Sequence, residues 1–239
     1  MSLLDDLNVQ IFADGADLAG MTAMARDPRI SGFTTNPTLM RKAGVQDYRS
    51  FAREVVAAIP DRPISFEVFS DDLGEMIDQG REIATWGENV NVKIPVTNTA
   101  GEFTGRVVSD LSGAGVKVNV TALFTVAQVE RVMASLRGES EAFISVFAGR
   151  IADTGRDPSP IMAEAMTCLS SRPGTRLIWA SPRELYNIFQ ADQVGCDIIT
   201  VANNLLEKLP LVGKDLDQFS LETVEMFRKD AVAAGFSIN

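Results

Sequence analysis

Residues Val90–Ile94, with the sequence VNVKI, form a short run in which valine and isoleucine alternate with asparagine and lysine. Such alternation is typical of a β-strand, because successive side chains of a strand point to opposite faces. Seven further short runs rich in apolar and β-branched residues recur along the chain: Val9–Ala13, Ser31–Thr34, Ile64–Phe69, Val116–Val120, Ala142–Phe147, Arg176–Ala180 and Asp197–Val201. The chain is therefore predicted to contain eight strands.

Segments with helical periodicity lie between these runs, at Tyr48–Ile59, Asp72–Trp86, Thr125–Leu136, Pro158–Ser170 and Arg183–Gln193. Strands that alternate with helices indicate an α/β protein with a parallel sheet. Eight such units in 239 residues predict a (β/α)8 TIM barrel that spans residues 1–239 as one domain. The alternative is a doubly wound sheet, which usually has fewer strands and often a glycine-rich phosphate loop. The chain contains neither GxGxxG nor a Walker A sequence.

Two apolar helical patterns, Asn203–Leu209 and Leu221–Ala234, follow the last predicted strand. The second predicts an extra C-terminal helix, for which Ser220 is a plausible N-cap after the lead-in Asp217–Phe219. Because this helix lies beyond the eighth unit, we expect it to cover the barrel mouth or to cross to a neighbouring subunit.

The amino-acid composition of the chain argues against several classes of function. The chain has no histidine, which argues against the usual zinc sites and the Ser-His and Cys-His catalytic pairs. A net charge of −10 argues against nucleic acid and anionic membranes as partners. Neither a signal peptide nor a long apolar stretch is apparent, and the only cysteines, Cys168 and Cys196, make no CxxC pair. These features predict a cytoplasmic protein without a metal site.

Lys93 is the least expected residue in the predicted strands. Asn91 and Lys93 share one face of the 90–94 run, and the three apolar residues share the other. Lysine is rarely buried without a partner, and burial favours the neutral amine, which is the nucleophilic form. The alternative interpretation is a lysine that pairs with a carboxylate in the core.

Other predicted strands also place a polar residue near their carboxyl ends, where the active sites of barrel enzymes lie. The polar residues are Asp14, Asn36, Glu67, Asn119, Thr121 and Ser145. Each has a simpler explanation as a helix cap, a turn residue, a hydrogen bond to the backbone or, for Glu67, an ion pair with Lys93. Their convergence around one lysine favours an active site.

Two arginines follow late strands, Arg150 after the sixth and Arg183 after the seventh. Loops at these positions of a barrel often bind phosphate, and the guanidinium group donates a pair of hydrogen bonds that suits phosphate oxygens. The alternative is that both are ordinary surface arginines.

A buried amine beside carboxyl groups, in a chain without histidine, suggests imine chemistry on a carbonyl compound. The amine attacks the carbonyl carbon, water is lost, and a nearby carboxylate removes a hydroxyl proton to drive carbon–carbon cleavage. These residues alone do not separate an aldolase from a transaldolase, or from a decarboxylating or dehydrating lysine enzyme.

Five segments, each at the end of a predicted strand, resemble the transaldolase family. They are Phe12–Asp17 (FADGAD), Gly32–Pro37 (GFTTNP), Asn91–Pro95 (NVKIP), Asn119–Thr121 (NVT) and Ser145–Asp153 (SVFAGRIAD), and the resemblance runs from about Val9 to the C-terminus. It implies a TIM barrel that transfers a dihydroxyacetone unit from a ketose phosphate, such as fructose 6-phosphate or sedoheptulose 7-phosphate, to an aldehyde without any cofactor.

The resemblance also implies a role for each matching residue. Lys93 is the Schiff-base lysine, and Asp14 is the acid/base that deprotonates the C4 hydroxyl group. Glu67 and Thr121 hold a water molecule for proton transfer. Donors to the dihydroxyacetone part are Asn36, Asn119 and Ser145, and phosphate contacts are Arg150, Ser181 and Arg183. Members of the short-chain branch of the family are expected to be homo-oligomers.

Related fructose-6-phosphate aldolases, which release free dihydroxyacetone, carry Gln at the position of Glu67 and Tyr at that of Phe147. The Glu and Phe of this chain favour transfer over release. Pro182 lies between Ser181 and Arg183 and alters this segment of the expected anion site. A sugar that carries another anionic group, such as a sulfonate, is therefore an alternative substrate. A barrel that binds sugar phosphates without catalysis is the alternative from another class.

Overall fold

The computed structural model describes residues 3–4 and 6–238. In this part of the chain, eight parallel strands close into a barrel in sequence order, and β8 pairs with β1. The strands are β1 (Gln10–Asp14), β2 (Ile30–Thr34), β3 (Ile64–Glu67), β4 (Val90–Pro95), β5 (Val118–Leu123), β6 (Ala142–Val146), β7 (Thr175–Trp179) and β8 (Ile198–Ala202). The predicted (β/α)8 TIM barrel is confirmed.

Helices follow the strands, and all but the last two connect one strand to the next. They are α1 (Leu18–Met24), α2 (Pro37–Lys42), α3 (Tyr48–Ala58), α4 (Leu73–Ala84), α5 (Gly105–Gly113), α6 (Val126–Ser135), α7 (Ala148–Ala152), α8 (Ser159–Leu169), α9 (Asn187–Gln193), α10 (Asn203–Leu206) and α11 (Leu216–Ala233). Asp or Thr side chains cap several of them, and Thr125 forms a capping box with Gln128 at the start of α6.

Two helix starts were predicted wrongly. The last helix, α11, begins at Leu216 and not after Ser220, because the Asp215 side chain accepts a hydrogen bond from the backbone N–H of Gln218 and caps the helix there. The α9 helix begins at Asn187 and not at Arg183. The Asn187 side chain accepts hydrogen bonds from two backbone N–H groups ahead of the helix, which hold that segment in a turn.

Apolar side chains pack in two places. The larger core lies between the strands and the surrounding helices. A smaller cluster inside the barrel contains Phe12, Phe143, Ile178 and Ile198, with the two phenylalanine rings packed edge to face. Gly32 lies against the Phe12 ring, where a Cβ atom would come within 2.5 Å of it. The aromatic cluster therefore fills the barrel interior on the side formed by β1 and β6–β8.

The C-terminal helix α11 has no buried residue. Its exposed side chains include Leu216, Phe219, Val224 and Phe227. Among the helices of the described residues, none is both long enough and apolar enough to cross a membrane.

Candidate active site

A cavity of about 400 Å³ opens at the carboxyl ends of the strands. Its lining contains all but two of the predicted site residues, namely Asp14, Asn36, Glu67, Lys93, Thr121, Ser145, Phe147, Arg150 and Ser181. Asn119 and Arg183 are not part of the lining. No residue of α11 belongs to the lining either, so this helix does not cover the cavity.

Lys93 reaches the cavity from β4, where it is the fourth of six residues. Its side chain is only 9% exposed. The Nζ atom donates a hydrogen bond of 2.9 Å to the carbonyl oxygen of Thr35 and lies 3.3 Å from a carboxylate oxygen of Glu67. A buried amine needs such partners, because an unpaired charge is costly in a poorly solvated environment. The contact to Glu67 fits both the ion-pair interpretation and the catalytic one.

Asp14 ends β1 and occupies another part of the lining. Its carboxylate accepts a 2.8 Å hydrogen bond from the Thr34 hydroxyl and a longer, 3.4 Å one from the Asn36 side chain. Burial raises the pKa of Asp14 above its usual range, although the positive charge of Lys93 and the two hydrogen bonds act in the opposite direction. A carboxyl group with a raised pKa is well suited to exchange protons near neutral pH.

Asn36 has two contacts that explain its position. Its side-chain oxygen accepts a hydrogen bond from the Leu39 backbone N–H and caps α2, while its amide nitrogen faces Asp14. Pro37 at the start of α2 favours a helix at this point. Asn36 was explained more simply as a turn residue, but it caps a helix, and the same cap orients its amide toward the cavity.

Thr121 lies on β5 and is almost completely buried. Its hydroxyl group makes no hydrogen bond with any other described residue, although it lines the cavity together with Glu67. Because buried hydroxyl groups in proteins nearly always have a partner, this group is available to a substrate atom or a water molecule.

Asn119 lies one layer below Thr121 and is fully buried. Its amide nitrogen donates to the Ser65 hydroxyl at 2.9 Å, and its amide oxygen accepts a hydrogen bond of 2.7 Å from the Ser145 hydroxyl. Ser145 itself lines the cavity. Asn119 thus orients Ser145 in this structure, and its predicted direct contact with substrate stays a prediction.

The predicted anion-binding residues separate into two groups. Arg150 and Ser181 line the cavity, and the Arg150 guanidinium lies 4.9 Å above the Phe147 ring. Arg183 instead pairs with Asp153 at 2.5 Å, and both side chains are about half exposed. Such exposed pairs contribute little free energy, so an incoming anion could compete with Asp153 for Arg183.

Backbone geometry at the cavity is unusual in two places. Ala122 and Ser181 both line it, and both have φ of +62°, a conformation that non-glycine residues seldom adopt. Gly149 packs against the second of these segments, where a Cβ atom would lie 1.6 Å from the carbonyl oxygen of Ser181. Strained backbone of this kind is concentrated at functional sites.

The cavity lining also contains residues that were not predicted from the sequence: Thr34, Pro37, Thr38, Leu39, Ala122, Ala180 and Thr200. Thr34 and Thr200 matter most, because their hydroxyl groups are 2.5 Å apart and Thr34 donates to Asp14. The alternation of side chains along β2 and β8 could have revealed both. Thr200 on β8 lies opposite Phe12 on β1, whose side chain points into the barrel.

No set of three or more acidic, cysteine or histidine side chains could hold a metal ion within residues 3–4 and 6–238. A (β/α)8 barrel whose cavity is lined by a buried lysine and by the carboxyl groups of Asp14 and Glu67 defines the class of this protein.

Comparison with known proteins identifies the family. The sequence model described as Transaldolase/Fructose-6-phosphate aldolase matches residues 11–238. A protein of Dehalococcoides mccartyi named "Probable transaldolase" is 35% identical over 215 residues, which cover 88% of this chain and 96% of that protein. A Streptococcus agalactiae protein with the same name is 33% identical over 225 residues, covering 92% and 100% of the two chains. This chain belongs to the transaldolase/fructose-6-phosphate aldolase family of enzymes.

Solved structures agree on the fold alone. A HpcH/HpaI aldolase/citrate lyase family protein from Burkholderia cenocepacia superposes with a TM-score of 0.58 at 14% sequence identity, covering 93% of this chain and 97% of that one. Mandelate oxidase gives a TM-score of 0.57 at 12% identity and covers 89% and 76% of the two chains.

Proposed function

We propose that the protein is a transaldolase that transfers a dihydroxyacetone unit from a ketose phosphate to an aldose phosphate through a Schiff base on Lys93. The observation that carries the proposal is the position of the Lys93 amine, which lies in the cavity lining within 3.3 Å of Glu67. Fructose 6-phosphate and sedoheptulose 7-phosphate are the proposed donors. The family relationship supports this reaction class.

In the proposed reaction, the Lys93 nitrogen attacks the ketone carbon, and the resulting carbinolamine loses water to give a protonated imine. Glu67 and the free hydroxyl of Thr121 hold the water molecule that carries protons in this step. Asp14 then removes the C4 hydroxyl proton, the C3–C4 bond breaks, and its electrons move into the imine to form an enamine. The aldose phosphate leaves, and the enamine carbon attacks the acceptor aldehyde in the reverse sequence.

Substrate positioning is proposed for the remaining lining residues. Asn36 and Ser145 donate to the hydroxyl groups of the three-carbon unit, and Asn119 acts with them through Ser145. Arg150 and Ser181 bind the distal phosphate, and Arg183 joins them when it leaves Asp153. A sulfonate in place of the phosphate would use the same donors.

Trapping the imine tests this proposal. The protein is incubated with fructose 6-phosphate and reduced with borohydride, and the modified peptide is mapped by mass spectrometry. We expect a dihydroxyacetone-derived adduct on Lys93, its loss in Lys93→Ala, and its retention in Lys208→Ala, which changes an exposed lysine that is not part of the cavity lining. If neither fructose 6-phosphate, sedoheptulose 7-phosphate nor a sulfonated ketose gives an adduct, the non-catalytic barrel is the better interpretation.

A second assay separates transfer from release. A transaldolase forms free dihydroxyacetone slowly without an acceptor and turns over when erythrose 4-phosphate is added. A fructose-6-phosphate aldolase releases dihydroxyacetone at the same rate in both conditions. Glu67 and Phe147 in the lining favour the first outcome.

We also propose a cytoplasmic homo-oligomer. The helix α11 has 18 residues and none of them is buried, so packing against its own chain stabilises it little. It exposes the apolar side chains Leu216, Val224 and Phe227. A second copy of the chain is the proposed occupant of this surface. Sedimentation equilibrium should give a multiple of the chain mass, and deletion of residues 214–239 should reduce it. A monomeric full-length chain would contradict this proposal.

A further inference from the structure

A second cavity, of about 410 Å³, lies at the opposite end of the barrel, where the strands begin. Gln10 is the first residue of β1, and Asn91 and Arg176 are the second residues of β4 and β7; all three line this cavity. The cavity shares no residue with the candidate active site. The proposed reaction uses none of its side chains.

Asn91 is the least ordinary member of the lining. It is fully buried, and neither its amide nitrogen nor its amide oxygen makes a hydrogen bond with any other described residue. An unsatisfied amide in a protein interior costs free energy unless a partner satisfies it. Asn91 is therefore placed to bind something that enters the cavity.

Three cationic side chains line the same cavity and retain free hydrogen-bond donors. The buried Nη1 atom of Arg62 has no hydrogen-bond partner in the described chain, and its Nε lies 3.9 Å from Asp61. The Lys117 ammonium donates to the backbone oxygen of Glu88. Arg176 donates to the Gln10 side chain.

Three carboxylates line the same cavity, and two of them pair with the arginines at distances longer than a hydrogen bond. The Asp61 side chain is 71% exposed, and Glu88 is also exposed. Glu141 is half-buried, and its carboxylate is 3.8 Å from Arg176, which is longer than a hydrogen bond. The Arg62 and Arg176 side chains are only 20% and 26% exposed. Each of these two arginines is therefore less exposed than the carboxylate beside it.

We propose that this cavity is a binding site for a small oxyanion-bearing ligand, with a phosphate or carboxylate group held by Arg62, Asn91, Lys117 and Arg176. An anion supplies the acceptors that the free donors lack, and forked guanidinium groups suit both phosphate and carboxylate. The size of the cavity allows a molecule larger than the bare ion. The site is independent of the activity proposed for the other end of the barrel.

Nuclear magnetic resonance of the full chain tests the site directly. The side-chain amide signals of Asn91 are followed while inorganic phosphate or malonate is added, which separates a phosphate ligand from a carboxylate ligand. We expect these signals to shift and saturate in the millimolar range with at least one of the two anions. If neither anion moves them at saturating concentration, the proposal is overturned.

Variants establish which donors bind the anion. Lys117→Gln and, independently, Arg176→Gln should each weaken the Asn91 response by about tenfold or more, since each removes a charge-assisted hydrogen bond. Lys208→Gln, which removes an exposed lysine, and Arg150→Gln, at the other cavity, should leave it unchanged. A response that survives both Lys117→Gln and Arg176→Gln would show that the anion binds elsewhere and would refute the site.

Discussion

Replacing Asp14 with asparagine should make the protein more stable at neutral pH while making it a much poorer enzyme. Asp14 is half-buried, and burial is the largest influence on its carboxyl group, raising its pKa. The carboxylate is therefore less stable in the folded chain than in the unfolded one. Asparagine removes the charge and retains an oxygen that can accept the 2.8 Å hydrogen bond from Thr34.

The size of the effect follows from opposing contributions. Asparagine avoids the cost of a buried charge, but it loses the attraction to Lys93 and the 3.4 Å contact with Asn36. We expect a net gain of about 1 kcal/mol in the free energy of unfolding at neutral pH, within the range of single stabilising substitutions. If Asp14 is the proton acceptor of the proposed reaction, kcat should fall by about 10²- to 10⁴-fold.

The pH dependence has a definite sign. Because the folded-state pKa is raised, the wild-type chain loses stability as pH rises from the unfolded carboxyl pKa of about 3.9 to the folded value, and the loss is complete above that value. The advantage of Asp14→Asn should therefore be largest near neutral pH and shrink as pH falls. Urea unfolding of both proteins from about pH 4 to about pH 8 measures it. A variant less stable at neutral pH, or an advantage that does not shrink in acid, would refute this reasoning.

Three further outcomes follow from the packing. Gly149→Ala should cost about 3 kcal/mol in urea unfolding, because the new Cβ atom meets the carbonyl oxygen of Ser181 and one of the two backbones must move. Gly32→Ala should cost about 2 kcal/mol by the same measurement, and adding Phe12→Leu should restore part of it, since the clash is with that ring. The thiol of Cys196, whose pKa burial raises to about 12, should react with a thiol reagent only after unfolding.

Strand order and fold class could be predicted from the sequence because each strand is a distinct apolar run. Helix boundaries were harder. The start of α11 depends on a single capping contact from Asp215, and the start of α9 depends on hydrogen bonds that the Asn187 side chain makes outside its helix. Short helices such as α1 and α7 lack the length that makes apolar periodicity visible. One domain spanning the whole chain stays a prediction.

Side-chain alternation predicted which face of each strand points inward, and it therefore located most of the cavity. It carries no information on depth along the barrel axis. Asn119 and Thr121 share one face of β5, yet only Thr121 reaches the lining. Loop residues were least predictable, because the partner of Arg183 is set by the path of the chain after β6 and β7, which brings Asp153 beside it.

The barrel interior has an apolar side and a polar side, and the apolar side helps to explain how a polar site can exist there. Phe12 and Phe143 fill one side with buried apolar surface. The other side carries Lys93 and Glu67, and a buried ion pair of this kind adds little net stability, because desolvation offsets the attraction. The stability needed to hold these charges must come from the aromatic side and from the outer helical layer. A substitution of Phe12 or Phe143 can therefore weaken the site, although neither residue lines the cavity.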